Sequence, residues 1–221
     1  MALIRESFRV GVLGCNCSIV ACPATNQALV VDPGDDAPAI IKALGRLGVN
    51  AVRLVHTHAH FDHIMGTGEV AGATGAEIVL HKDDRWLYDN LALQTTTFGL
   101  PAVPPAPPPT RELDRDQTLT FGQREAHAIH TPGHTPGSTC FFVEAPGETP
   151  IVFAGDTLFR GSIGRTDLWG GSAPQIQTSI RERLFTLPDD TIVVAGHGPD
   201  TTIGAEKDGN PFVGLRRRNR V

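Results

Sequence analysis

Short apolar runs separated by glycine, proline and other turn-forming residues recur along the chain, and this pattern is typical of many short β-strands. The predicted strands cover residues 8–13, 17–22, 27–32, 51–55, 76–80, 117–121, 125–130, 138–143, 151–154 and 191–195. Apolar residues at helical spacing predict helices over 40–47, 64–73, 82–93 and 174–185. Each half of the chain thus holds strands and then helices, and two sheets packed face to face with helices outside are the economical arrangement.

The composition and charge of the chain exclude several classes of partner. A net charge of −5, without a sustained basic patch in the body of the chain, argues against nucleic acid as the main partner. No apolar stretch approaches the length of a transmembrane helix, and the N-terminus lacks the features of a signal peptide. A cytoplasmic protein without a membrane partner is therefore expected, and no feature of the sequence specifies an oligomeric state.

Four cysteines are too few and too bunched to form a disulfide framework for a chain of 221 residues. Reduced, packed thiols are the preferred interpretation. A redox or zinc-binding role for Cys15 and Cys17 is the alternative.

The strongest chemical signal is the segment 56–63, in which four histidines and an aspartate fall within eight positions. Imidazole and carboxylate are ligands that suit zinc, iron or manganese. On an extended loop, His58 and His60 point the same way and can reach one ion together, because residues two apart share a side. Asp62 and His63 point away from that pair, so the spacing indicates a second ion next to the first.

Three later residues follow predicted strands within glycine turns, namely His134, Asp156 and His197. A histidine or aspartate in such a turn is on its own more often structural, but together with the first cluster a metal site is the stronger interpretation. The predicted set is His58, His60 and His134 for one ion, Asp62, His63 and His197 for the other, and Asp156 as a bridge between them.

A proline-rich segment at 101–109 interrupts the strand pattern, because proline cannot continue a helix or a central strand. It is either a linker between two domains or a surface loop. We favour the loop, since the predicted ligands lie on both sides of it and a site shared by flexibly joined domains is poorly held. The prediction is therefore one domain over residues 1–221, with a solvated basic tail at 214–221. Contact of the tail with an anionic substrate or partner is the alternative.

The segment 57–63, followed in order by His134, Asp156 and His197, resembles the metallo-β-lactamase superfamily. The resemblance covers nearly the whole chain. It implies the α+β class and a four-layer αββα sandwich of two mixed sheets with helices outside.

Further strings resemble one branch of this superfamily. Residues 155–159 and 161–167 are similar to the glyoxalase II branch, the hydroxyacylglutathione hydrolases. Residues 198–204, 206–207 and 210–212 are similar to the short, single-domain glyoxalase II-like proteins of bacteria.

The resemblance implies two divalent metal ions, zinc by preference with iron or manganese as alternatives. It implies a hydrolase that cleaves a small-molecule thioester of the hydroxyacylglutathione class, such as S-lactoylglutathione, by attack of metal-bound hydroxide. Asp62 would be both a ligand and the catalytic residue that orients the hydroxide. Arg165 matches a basic position of the branch and would bind a substrate carboxylate, whereas the aromatic residue that follows two positions later in the branch is Asp167 here.

Two other functions fit the same residues. The string 164–167 also occurs in the related persulfide dioxygenases, in which a single iron would be held by His58, His134 and Asp156. A non-catalytic metal-binding module is the second alternative, and it would bind metal without thioester hydrolysis.

Overall fold

The first β-sheet combines an antiparallel half and a parallel half. In this computed structural model, which describes residues 2–215, its strands are Ile4–Val10 (β1), Cys15–Ala21 (β2), Gln27–Val31 (β3), Asn50–Val55 (β4), Glu77–His81 (β5) and Arg111–Leu113 (β6), in spatial order. β1, β2 and β3 form the antiparallel meander that the sequence predicts. β3 to β6 are parallel, so their carboxyl ends meet at one edge.

The second sheet is also mixed. Its strands, in spatial order, are Thr201–Thr202 (β14), Ile192–Ala195 (β13), Ile151–Gly155 (β10), Thr139–Val143 (β9), Arg124–His130 (β8) and Gln117–Phe121 (β7). β7 to β10 are antiparallel, and β13 runs parallel to β10. Leu158–Phe159 (β11) and Ser162–Ile163 (β12) form a separate small hairpin after β10.

The helices flank the two sheets and are short. They are Ala37–Leu47 (α1), Phe61–Ile64 (α2), Thr67–Thr74 (α3), Arg85–Asp89 (α4), Leu91–Thr97 (α5), Ala173–Ser179 (α6) and Ile203–Gly209 (α7). A 3-10 turn at Lys82–Asp84 precedes α4, and a π-helical turn at Ile180–Leu184 continues α6. In α1 the buried residues recur at helical spacing, which places one apolar face against the sheet.

Three apolar clusters show how the layers stack. The central cluster joins residues of both sheets, for example Leu29 of β3 and Phe153 of β10. A second cluster packs the outer face of the first sheet against α1 and α3, and a third packs the outer face of the second sheet against α6. The order helix, sheet, sheet, helix confirms the predicted αββα sandwich.

Some element boundaries differ from those predicted from the sequence. The first strand covers 4–10 rather than 8–13, because Gly11 and Gly14 adopt positive φ angles and form the turn to β2. The predicted helix over 64–73 is divided at Gly66, whose N–H donates to the carbonyl of Pro33 instead of continuing the helix. The predicted helix over 82–93 is likewise divided, into the 3-10 turn, α4 and the start of α5.

The proline-rich segment has no regular secondary structure and packs on the helical layer of the first sheet. The hydroxyl of Tyr88 donates to the carbonyl of Pro107 at 2.8 Å. Val103 and Ala106 pack against the cluster of the first sheet. The basic tail lies, from residue 216 onward, outside the described residues.

Among the helices described between residues 2 and 215, none is both long enough and apolar enough to cross a bilayer.

The central cluster should carry much of the stability of the fold. Leu29→Ala should lower the free energy of unfolding by about 2–5 kcal/mol, because Leu29 is fully buried between the sheets and its truncation leaves a cavity. The measurement is urea unfolding followed by circular dichroism. Leu93→Ala, at a side chain 48% exposed on α5, is the control and should change stability by less than about 0.5 kcal/mol. Equal effects of the two substitutions would contradict this account of the core.

Candidate metal centre

All seven predicted ligands lie at the edge where the carboxyl ends of the central strands meet. Each residue is held by the element that precedes or contains it, and most of the supporting strands are buried. His58 and His60 follow β4, Asp62 and His63 lie in α2, and His134, Asp156 and His197 follow β8, β10 and β13. Residues distant in sequence therefore converge because strand ends of both sheets share this edge.

The first cluster consists of His58, His60 and His134. One ring nitrogen from each lies within 4.8 Å of the others, and the Nε2 atoms of His58 and His134 are 3.2 Å apart. All three side chains are buried. The arrangement directs several nitrogen lone pairs at one point, which is typical of a cation site.

The second cluster consists of Asp62, His63 and His197, whose ligand atoms also lie within 4.8 Å of one another. Asp62 Oδ2 is 3.0 Å from His197 Nε2 and 3.6 Å from His63 Nε2. His197 is the most exposed ligand of this cluster, so the second cluster is the one closer to solvent.

Asp156 lies between the two clusters. Its Oδ2 is 3.7 Å from His134 Nε2, and its Oδ1 is 3.6 Å from His63 Nε2, so each oxygen faces a different cluster. Gly196 provides the room for this carboxylate, because a Cβ at that position would come within 2.2 Å of Asp156 Oδ1.

The donor set fits a divalent cation in each cluster. Among the described residues, His60 Nε2, His63 Nε2 and Asp156 Oδ1 are buried and have no hydrogen-bond partner. Buried polar atoms are nearly always partnered, so three unpartnered atoms that face the clusters fit the binding of a cation. Imidazole nitrogen and carboxylate oxygen are the donors that zinc, iron and manganese share.

The protonation states of the first cluster and of Asp62 favour metal binding as well. Burial lowers the pKa of His58, His60 and His134 below the ordinary value, so these rings are neutral at pH 7. Burial opposes the ionisation of Asp62, but His63 and His197 hold the pKa of this carboxyl well below its usual range. Neutral imidazole and ionised carboxylate are the forms in which these side chains bind metals. Despite burial, neighbouring groups, mainly carboxylates, raise the pKa of His63 and His197, so a cation bound by these two rings would displace protons.

A cavity of about 150 Å³ opens above the clusters. Its floor includes His60, Asp62, His134, Asp156 and His197, and its rim includes Leu13, Phe61, Phe98, Arg165 and Leu168. Charged and polar groups at the floor and mostly apolar groups at the rim are typical of a small-molecule site.

A profile of the metallo-beta-lactamase superfamily matches residues 10–197. The chain belongs to the metallo-β-lactamase superfamily. Its His/Asp clusters therefore occupy a fold that is associated with metal-dependent hydrolases, and they are typical of divalent metal binding.

Several similar proteins align with almost the whole length of this chain. Hydroxyacylglutathione hydrolase GloC of Haemophilus influenzae is 37% identical, over 90% of this chain and 92% of that protein. The crystal structure of BLEG-1 B3 metallo-β-lactamase superposes with a TM-score of 0.87 at 35% identity, covering 95% of this chain and 99% of that chain. The structure of TTHA1623 in a di-iron-bound form superposes with a TM-score of 0.82 at 36% identity, covering 94% and 99%.

Asp32 supports the second cluster in this metallo-β-lactamase fold. The ring of His63 donates from Nδ1 to Asp32 Oδ2 at 3.0 Å, which leaves Nε2 directed at Asp62 and Asp156. Sequence reasoning treated Asp32 only as the end of a strand. A carboxylate directly after a buried apolar strand was the signal that was available.

Asp84 supports the first cluster and was also missed. Its Oδ2 accepts from the N–H of Ala59 at 2.9 Å and from the hydroxyl of Thr135 at 2.8 Å, and its Oδ1 accepts from the N–H of Gly137. Burial raises the pKa of Asp84 to about 6, although these donated hydrogen bonds favour the ionised form. One carboxylate thus ties the loop of His58 and His60 to the turn of His134. No local pattern marked it, because Asp84 lies in a stretch predicted as an ordinary helix.

A third group of metal-capable side chains, His81, Asp83 and His130, has an unsuitable geometry. The rings of His81 and His130 are stacked, with centroids 4.0 Å apart and an interplanar angle of 11°. Ring nitrogen lone pairs lie in the ring plane, so stacked rings do not direct them at one ion. Nε2 of His130 also lies 2.9 Å from the carbonyl of Pro136, which occupies that nitrogen.

Asp84→Asn should weaken one of the two metal-binding events about 10- to 100-fold and leave the other unchanged. Asparagine has only one acceptor oxygen, and its NH2 group faces one of the two N–H donors that the two carboxylate oxygens of Asp84 accept from. The loop of His58 and the turn of His134 therefore lose their shared anchor. Zinc titration against a chelating dye measures both events. Asp83→Asn, at the exposed neighbouring carboxylate, is the matched control and should bind as wild type does. Similar losses in the two variants would contradict the role assigned to Asp84.

Proposed function

We propose that the protein is a metal-dependent hydrolase that cleaves a small-molecule thioester of the hydroxyacylglutathione class, for which S-lactoylglutathione is the test compound. The observation that carries the proposal is the convergence of two His/Asp clusters, joined by Asp156, at the floor of one cavity. The relative from Haemophilus influenzae, which is named a hydroxyacylglutathione hydrolase, supports the substrate class.

The proposed site holds two divalent cations. His58, His60 and His134 would bind one, Asp62, His63 and His197 would bind the other, and Asp156 would bridge them. Zinc is the preferred ion, with iron or manganese as alternatives, since the donors suit all three. The di-iron-bound form of TTHA1623 gives iron a specific precedent among similar structures. Such ions supply a Lewis acid for the thioester carbonyl and lower the pKa of water.

The described residues that line the cavity include neither serine nor cysteine, which favours water as the nucleophile. Asp62 stays ionised and faces the cavity, so its carboxylate can accept a hydrogen bond from that water and orient it. A thiolate is a good leaving group, so expulsion needs little help from an acid. An oriented water is therefore sufficient for hydrolysis of a thioester at this site.

Arg165 is the proposed binding residue for a substrate carboxylate. Its side chain lines the rim, and its backbone carbonyl accepts from Nδ1 of His134 at 2.8 Å, which holds it beside the first cluster. The apolar rim residues Leu13, Phe98 and Leu168 would exclude water from the reacting centre when substrate is bound.

Persulfide dioxygenation at one iron is the alternative activity. It would use His58, His134 and Asp156, whose ligand atoms also lie close together. The string 164–167 is the specific feature that favours it. The convergence of Asp62, His63 and His197 in a second cluster favours the binuclear hydrolase instead. A metal-binding module without turnover is the remaining alternative.

Protein purified without added metal should contain about two metal ions per chain and hydrolyse S-lactoylglutathione in a chelator-sensitive manner. Metal analysis and release of free thiol provide the two measurements. One iron per chain, oxygen consumption when a persulfide is added, and no thioester hydrolysis would establish the dioxygenase instead. Two ions without either activity would favour the binding module.

His197→Ala should reduce the metal content towards one ion per chain and lower hydrolysis at least about 100-fold, because the second cluster loses a ligand. His127→Ala is the control, since His127 lies on β8 and its ring contacts the hydroxyl of Thr118 rather than the cavity. Full activity of the His197 variant with two ions bound would contradict the assignment.

A further inference from the structure

We propose that Asp167 is a specificity-determining residue, which holds Arg165 in an ion pair at the cavity rim and so disfavours substrates that place a carboxylate there. Among thioesters, those whose thiol portion is uncharged and apolar where it crosses the rim are then favoured over S-lactoylglutathione, whose thiol portion carries two carboxylates. This inference rests on the proposed function as a thioester hydrolase and narrows the thiol, because Asp167 occupies the Arg165 guanidinium that a substrate carboxylate would otherwise bind.

The ion pair has the geometry of a strong Arg–carboxylate interaction. Arg165 Nε donates to Asp167 Oδ1 at 2.7 Å, and Arg165 Nη2 donates to Asp167 Oδ2 at 2.8 Å. These two parallel hydrogen bonds come from the Nε/Nη2 edge of the guanidinium, whose spacing matches the two oxygens of a carboxylate. The hydrogen bond from Arg165 lowers the pKa of Asp167 to about 2, so this carboxylate is ionised at physiological pH.

A substrate carboxylate must compete with Asp167 for the same guanidinium. Among the described residues that line the cavity, Arg165 is the one permanent cation. Asp167 lies two residues away on the same loop, so its effective concentration at Arg165 exceeds that of any free ligand. The backbone carbonyl of Arg165 accepts from Nδ1 of His134, which places the base of this side chain beside the first cluster.

The remaining rim favours an apolar group. Leu13 is 54% exposed and Phe98 is 43% exposed, although both are large apolar residues that line the cavity. Trp169 follows Leu168 and makes edge contacts with Phe98 and Trp86, at centroid distances of 6.3 Å. The aromatic surface thus continues outward from the cavity, and an apolar thiol portion would cover it.

The experiment compares two substrates that differ only in charge, S-lactoylglutathione and the same compound with both glutathione carboxyls methylated. In Asp167→Asn, kcat/KM for the anionic compound should rise about two- to fivefold, the range expected for releasing one exposed ion pair. The value for the methylated compound should stay within about twofold of wild type. The ratio of the two values is the readout, because damage to the fold would lower both together.

Two further variants identify the cause. In an Arg165→Gln background, Asp167→Asn should no longer change the ratio, since the gain requires a free guanidinium. Glu6→Gln, which breaks an exposed ion pair with Arg46 between β1 and α1, is the matched control and should leave the ratio unchanged. A gain that persists without Arg165 would show a general effect of charge and overturn the proposal.

The outcomes separate this inference from the proposed function. If wild type hydrolyses both compounds but Asp167→Asn leaves their ratio unchanged or lowers both values, the role of Asp167 is refuted and the hydrolase stands. If wild type hydrolyses neither compound, the proposed function is refuted and the inference falls with it.

Discussion

The orientation of the histidine rings is the constraint on which the site depends. Three rings donate from Nδ1 to fixed acceptors: His63 to Asp32, His134 to the carbonyl of Arg165, and His58 to the hydroxyl of Thr57. The hydroxyl of Thr57 in turn donates to Asp32, so that carboxylate anchors two of the rings. These contacts direct the proton of Nδ1 to an acceptor in each case, so Nε2 is the atom that each ring directs at the clusters. Without these acceptors, buried and mutually close imidazoles would have no single preferred tautomer.

Close packing of the loops that carry the predicted ligands requires glycine at several backbone positions around the site. A Cβ at position 155 would meet Thr57 Oγ1 at 2.2 Å, and one at position 164 would meet the carbonyl of Asp156 at 1.8 Å. Glycine at these points lets the loops approach so closely that side chains from different loops can reach the same ion. The three apolar clusters supply the rigidity that such close contacts need, since the ligand-bearing loops begin directly at buried strands.

The sequence predicted the sandwich and the residues that gather at its edge because both produce local signals. Apolar runs mark buried strands, and a histidine or aspartate directly after such a run must lie at the edge where strands end. Short elements such as β6, β11 and β14 escaped prediction, because two or three residues carry no periodicity. Asp84 escaped for a different reason. Its role arises from contacts with residues 25 to 53 positions away, and no pattern within its own helix records them.

The loop after β12 serves the metal centre and the rim through different atoms. Its backbone carbonyl at Arg165 orients His134, whereas its side chains at Arg165 and Asp167 face the cavity entrance or each other. Every residue type provides a backbone carbonyl, so side chains at these positions can change without loss of the acceptor for His134. Ring orientation at the floor is thereby independent of charge at the rim. A fold with this separation can change the charge and shape of its cavity rim while it keeps the same ligands, which is the arrangement that allows one scaffold to act on several substrates.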